Sequence, residues 1–148
     1  MPTLVLDGRT LSLARLRRHA GSPIALAPAA RRRIRASRRI VDALHDDPAP
    51  HYGINTGFGI LAHQRVPAAD IERLQENLIL SHAVGVGDEV PAAIVRLMLL
   101  LKVNGLAVGL SGVTEPVVDH LIRFHNEDAL PVVYNLSLIH ISEPTRPL

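Results

Sequence analysis

The sequence has no cysteine and no tryptophan, and only two tyrosines and two phenylalanines among 148 residues. Without cysteine there is no disulfide framework, no thiolate nucleophile and no thiolate metal site, which fits a reducing compartment. The expected location is cytoplasmic. Aromatics make up 3% against 47% hydrophobic residues overall, so a core must be assembled from Leu, Ile, Val and Ala. That composition suits packed helices better than a β-sandwich. Lysine is almost missing: Lys102 is the sole one among 16 Lys and Arg residues, and the formal net charge is only +2 despite a pI near 9.7. The N-terminus MPTLVLDGRT lacks the basic and apolar regions of a signal peptide, so none is expected. The most apolar run, Ile94 to Leu110, is interrupted by Arg96, Lys102 and Asn104, which argues for a buried soluble helix and against a membrane partner.

What is present reads as mainly helical. Thr3 to Leu6 alternates weakly and ends at Asp7-Gly8, a short strand and turn, after which Thr10 or Ser12 caps a helix through Arg18 that stops near Gly21 and Pro23. A second helix is expected from about Pro28 to Leu44, because Ala30, Ile34, Ser37, Val41 and Leu44 form one stripe. His45-Asp46-Asp47-Pro48 ends it. Pro67, suited to a first helical position, opens a helix with Ile71, Leu74, Leu78 and Ser81 or His82 on one side. Gly85-Val86-Gly87 breaks the chain and Pro91 restarts it. Residues 92 to 108 are apolar nearly all round, as in a helix enclosed by others. Thr114 caps a last helix with a face of Val117, Val118, Leu121, Ile122 and His125, ending near Asn126.

Arg31, Arg32, Arg33, Arg35, Arg38 and Arg39 crowd the second helix without the interleaved aromatics of a base-stacking platform. A solvated face or an interface accounts for them better than nucleic acid, which is not an expected partner. No metal site is expected either. There is no His-Glu-x-x-His, and His120 and His125, five apart, fall on different helical faces.

The stretch HYGINTGFG, residues 51 to 59, sets Tyr52 among Gly53, Gly57 and Gly59 with Asn55 and Thr56 between them. On the residues alone two readings stand: a turn whose tyrosine packs locally, or a tyrosine held where backbone and ligand approach closely. It is not a phosphate loop, since the Gly-Lys-Ser/Thr ending is missing. His82, at the end of its helix, is either a half-buried structural histidine or a ligand-facing one.

Three ordered segments resemble the N-terminal region of the histidine ammonia-lyases, within the aromatic amino acid lyases. They are YGINTGFG from Tyr52, LQENLILSHAVGVG from Leu74, and RLMLLLKVNGLAVGLSGV from Arg96. The likeness extends over roughly residues 3 to 133 and implies the N-terminal part, itself incomplete, of a fumarase-like helical bundle. It also implies elimination of ammonia from an aromatic amino acid, a small-molecule substrate, by a cytoplasmic homotetramer. Tyr52 is then the base, Gly53, Asn55, Thr56, Gly57 and Gly59 position it, and His82 is a substrate-pocket residue suited to histidine, with urocanate as product. A free phenol is mostly protonated at neutral pH, so such a site must favour tyrosinate. A tyrosine ammonia-lyase or related aminomutase is the alternative within the family. A non-catalytic binding or interaction protein is the alternative outside it.

The family's electrophile is a methylidene-imidazolone made from an internal Ala-Ser-Gly, and that tripeptide occurs nowhere in this chain, so the group cannot form here. Where the family continues into its Gly-Ser-Val-Gly-Ala-Ser-Gly-Asp, this sequence reads Tyr134-Asn135-Leu136. The last fifteen residues, YNLSLIHISEPTRPL, hold no Ala, Gly or Val and resemble translated sequencing-adapter sequence. The expected organisation is therefore 1–133 as the lyase N-terminal domain and 134–148 as a non-family, artefactual tail on a fragment that is inactive alone.

Overall fold

The computed structural model describes residues 2–142. Its elements run β1 (Leu4–Leu6), α1 (Leu13–His19), β2 (Ile24–Leu26), α2 (Pro28–His45), α3 (Ala68–His82), β3 (Gly85–Glu89), α4 (Ala92–Leu106), α5 (Glu115–Asn126), β4 (Tyr134–Ser137) and α6 (Leu138–Ser142). A 3-10 turn at Gly59–Leu61 precedes α3. The mainly helical expectation holds. The chain divides into two compact units, one of Met1–Ile40 with Val90–Val132 and one of Val41–Glu89 with Val133–Leu148.

In the first unit β1 and β2 pair in parallel, with Leu4 opposite Ile24 and Leu6 opposite Leu26. The alternation on β1 decides which side chains enter the core: Leu4 and Leu6 are buried while Val5 is 47% exposed. Parallel strands need a crossover, and α1, capped by the Ser12 hydroxyl accepting from the Arg15 N–H, supplies it. β2 was not expected from the sequence. Its three residues are too few for periodicity to register, and its backbone is completed by a side chain far along the chain: Ile24 N–H donates to Asn126 Oδ1 (2.8 Å), and Asn126 Nδ2 donates back to the Ile24 carbonyl (3.0 Å).

Leu4, Leu6, Ile24, Ile34, Leu100, Val103, Leu106 and Val118 form the core. The α2 stripe lies as expected, with Ala30 and Ile34 buried and Ser37, Val41 and Leu44 half-buried. α4 is enclosed on one side only: Val95, Leu99, Leu100, Val103 and Leu106 are buried, but Ile94, Met98 and Leu101 stand about half exposed. On α5 Val118 and His125 are buried, whereas Val117, one step of about 100° round the helix from Val118, is 48% exposed and leaves the expected face.

Much of the arginine cluster is committed within this unit. Arg31 pairs with Glu115 (3.0 Å) and Asp119 (2.8 Å), and Arg35 with Glu115 (2.9 Å), tying α2 to α5. Arg33 donates to the carbonyls of Asp7, Ala107 and Val108, satisfying acceptors where α4 ends. Gly8 is required at the same place: its φ is +75°, and a Cβ would sit 2.5 Å from the Val108 nitrogen.

In the second unit α3 carries Ile71, Leu74 and Leu78 half-buried and no fully buried residue. Pro67 is its N-cap rather than its first helical residue, because its ψ of 141° is extended. The break expected at Gly85-Val86-Gly87 is instead the strand β3, antiparallel to β4, with Gly85 opposite Ser137 and Val86 opposite Leu136. Glycine permits it: a Cβ on Gly85 would lie 2.7 Å from the Tyr134 ring. The tail of the sequence lies partly here and partly at residues 143–148, outside the described residues.

Candidate functional site

The loop from Leu44 to Val66 is organised around one buried amide. Asn55 is fully buried and uses all of its side chain: Oδ1 accepts from the His51 N–H (2.7 Å), while Nδ2 faces the carbonyls of Leu44 (3.3 Å), Asp47 (3.0 Å) and Ala49 (3.0 Å). Its own backbone joins in, with the Asn55 N–H donating to the His51 carbonyl and the Val66 N–H to the Asn55 carbonyl. An amide suits this task because it offers donors and an acceptor on one short stem. Thr56 beside it is also buried, donates through Oγ1 to the Gly57 carbonyl, and bridges to Arg65.

The glycines do different jobs. Gly53 (φ +76°) and Gly59 (φ +58°) take left-handed backbone that other residues rarely adopt. Gly57 makes room: a Cβ there would lie 2.6 Å from that of Leu61. Tyr52 consequently stands on the outside of a loop fastened from within. It is 65% exposed and its ring meets that of Phe58 edge to face, centroids 5.9 Å apart.

His82 is the last residue of α3 and is exposed. Its Nδ1 lies 2.9 Å from the Leu78 carbonyl and 2.9 Å from Ser81 Oγ. A carbonyl only accepts, so Nδ1 carries a proton in this contact, and in the neutral ring Nε2 is the accepting nitrogen. Among the described residues no hydrogen bond joins Tyr52 to His82. Nor does any group of three or more His, Cys, Asp or Glu among the described residues suit a metal ion.

Residues 11–139 match the family described as aromatic amino acid lyase. The chain belongs to this family. Among its curated relatives it is 49% identical over 150 residues to the histidine ammonia-lyase of Anaeromyxobacter dehalogenans, covering 100% of this chain and 30% of that protein. Among solved structures it is similar to histidine ammonia-lyase from Trypanosoma cruzi, with a TM-score of 0.78 and 33% identity over 93% of this chain and 27% of that one. It is also similar to tyrosine aminomutase from Streptomyces globisporus, with a TM-score of 0.84 and 26% identity over 93% of this chain and 27% of that one. The chain thus spans about 30% of the curated relatives it matches. The lyase fold expected from the sequence is the fold of these neighbours in part.

Sequence reading missed two members of the loop assembly. Asp47 Oδ2 lies 3.0 Å from His51 Nε2, and Asp47 Oδ1 accepts from the Ala49 N–H (2.8 Å). The Ala49 N–H, and then the His51 contact, hold the Asp47 carboxyl below the usual carboxylate range. The available signal was an Asp and a His four apart, but Pro48 between them removes the helix that would have made such spacing meaningful. Among the described residues, no helix is long and apolar enough to cross a membrane.

Proposed function

We propose that this chain carries the base-bearing loop of a histidine ammonia-lyase whose complete form eliminates ammonia from L-histidine to give urocanate. The observation that carries this reading is 49% identity across the whole chain to a curated histidine ammonia-lyase. Tyr52 is the base: an exposed phenol on a fixed backbone can approach the substrate β-proton without rebuilding the loop around it. His82 offers Nε2 as acceptor for the N–H of a substrate imidazole, the polarity that favours histidine over phenylalanine. Gly53, Asn55, Thr56, Gly57 and Gly59 hold the loop in the shape that presents Tyr52.

The electrophile implied by the family, a methylidene-imidazolone, requires Ala-Ser-Gly, and the 148 residues contain none. Past Val133 the chain enters β4 instead. The residues present do not fit that group, and a positioned base alone, contributing roughly 10²–10⁴-fold, is too little for an unactivated β-proton. The chain is therefore inert by itself, and the electron sink belongs to residues outside these 148. The family match runs to residue 139, so the proposed boundary at Val133 rests on the unlike wording after it. The half-exposed Ile94, Met98 and Leu101 on α4 support burial against further protein, as in a homotetramer, and the lack of cysteine supports a cytoplasmic location.

A tyrosine-directed lyase or aminomutase is the second reading, favoured by the likeness to tyrosine aminomutase. A non-catalytic interaction protein is the third, favoured by the missing tripeptide. Reading the source gene past codon 133 and assaying the complete product separates them. Urocanate from L-histidine, lost by roughly 10²–10⁴-fold in kcat on Tyr52→Phe, is the expected result. Coumarate or β-tyrosine as sole product selects the second reading. A genuine stop after the tail selects the third, and urocanate from the 148-residue chain alone refutes its inertness.

A further inference from the structure

We propose that Asp47 and His51 form a clasp that positions Tyr52, with His51 as the positioning residue proper. His51 immediately precedes Tyr52 and is held through its N–H, its carbonyl and one ring nitrogen. Its N–H donates to Asn55 Oδ1 (2.7 Å), and its carbonyl accepts from the N–H groups of Ile54 (3.0 Å) and Asn55 (3.2 Å). Its ring Nε2 meets Asp47 Oδ2 (3.0 Å). Asp47 is itself fixed, through Oδ1 by the Ala49 N–H and through its carbonyl by Asn55 Nδ2 and Arg65 Nε (3.1 Å).

The backbone contacts alone would hold the main chain of residue 51. The imidazole adds a side-chain tie to a stretch whose main chain Asn55 already joins to Leu44 in α2. With Asp47 it closes a second ring over Pro48 to His51, further limiting rotation there as a way for Tyr52 to swing. A flexible loop tip with an exposed phenol otherwise spreads that phenol over many positions, and each lost position raises the fraction of time it spends where a reaction needs it. The carboxylate favours this role over a neutral acceptor, because its second oxygen takes the ring while the first keeps the Ala49 N–H. This assignment depends on the lyase reading only for what Tyr52 is for. The positioning itself is measurable without any turnover.

The test uses the full 148-residue chain carrying Tyr134→Phe. Tyr52 is then the sole tyrosine in a protein without tryptophan, and its fluorescence anisotropy reports its freedom directly. Amide exchange at Ile54 and Asn55, the two N–H groups bound to the His51 carbonyl, reports the loop backbone, with Val103 in α4 as reference. Loss of a charge-assisted hydrogen bond in His51→Phe is expected to speed exchange at both loop amides by roughly tenfold and to lower Tyr52 anisotropy, while Val103 stays within about twofold. Asp47→Asn is expected to move both readouts the same way. His51→Gln, whose amide can still donate to Asp47, is expected to recover at least half of each change. The proposal is overturned if His51→Phe leaves anisotropy unchanged, if Gln recovers nothing, or if Val103 accelerates as much as the loop, which would make the residue merely structural. A complete parent that keeps an ordered Tyr52 yet makes no urocanate would refute the histidine ammonia-lyase reading and leave the clasp standing.

Discussion

The two units of this chain are held together by different physics. All buried hydrophobic side chains among the described residues, from Leu4 to Val118, belong to the first unit; in the second, the buried side chains are Asn55 and Thr56. Hydrophobic burial is strong and non-directional, so it stabilises a frame without dictating the position of any one atom to a fraction of an ångström. Hydrogen bonds contribute less each but fix directions. The region bearing the tyrosine is the one that relies on direction, as a site needing a defined reactive atom should.

That contrast is sharpest if each region is damaged with its own kind of lesion. Leu100→Ala, at a fully buried core position, is expected to lower the unfolding free energy by roughly 2–5 kcal/mol, read from the midpoint of a urea transition. An effect under about 1 kcal/mol would mean the first unit is not organised by burial. Asn55→Ala should cost about 1–3 kcal/mol, because three carbonyls and one N–H lose their partner in a buried setting. Its signature is local: exchange rises at Ile54 and Val66 while the α4 amides hold, and uniform acceleration would erase the distinction between the units.

His125 offers a pH-based lesion confined to the first unit. It is 1% exposed, and burial pushes its imidazole below the usual value of 6.5, so the unfolded chain binds the proton more readily than the folded one. The associated stability is fully present above pH 6.5 and is lost as pH falls below it toward the folded-state value. Thermal melts from pH 7 to pH 5 should show Tm falling, and His125→Leu should flatten that slope. An unchanged slope in the variant assigns the acid sensitivity elsewhere. The smallest effect is expected for Arg31→Ala. Arg31 and its partners Glu115 and Asp119 all remain partly exposed to solvent, so the loss should stay near or below about 1 kcal/mol and shrink further in high salt.

The same contrast explains what the sequence disclosed. Periodicity is the imprint of burial, so the α2 stripe through Ala30 and Ile34 and much of the α5 face were legible, as was the half-buried side of α3. β2 and β3 were not. Three residues of Ile-Ala-Leu carry no period, and Gly-Val-Gly-Asp-Glu becomes a strand only because residues 134–137 return to pair with it. In the candidate site, the glycines announced a special loop and resemblance supplied a role for Tyr52 and His82. Resemblance also gave Asn55 a positioning role, but its partners and the Asp47–His51 contact left no mark, since a network of single hydrogen bonds to backbone has no repeat to read.

The pair of hydrogen bonds between Ile24 and Asn126 spans 102 residues. On a ribosome adding about 5–20 residues per second, β2 waits on the order of 5–20 seconds for the side chain that completes it. Within that interval the tyrosine loop and α3 are made, while α2 and β1 have no finished core to join. The frame that closes last is the one begun first, so the nascent chain passes through a long stage with Leu4, Leu6 and Ile34 uncovered. A chaperone that shields apolar segments early in synthesis would act on this protein before its candidate site could matter at all.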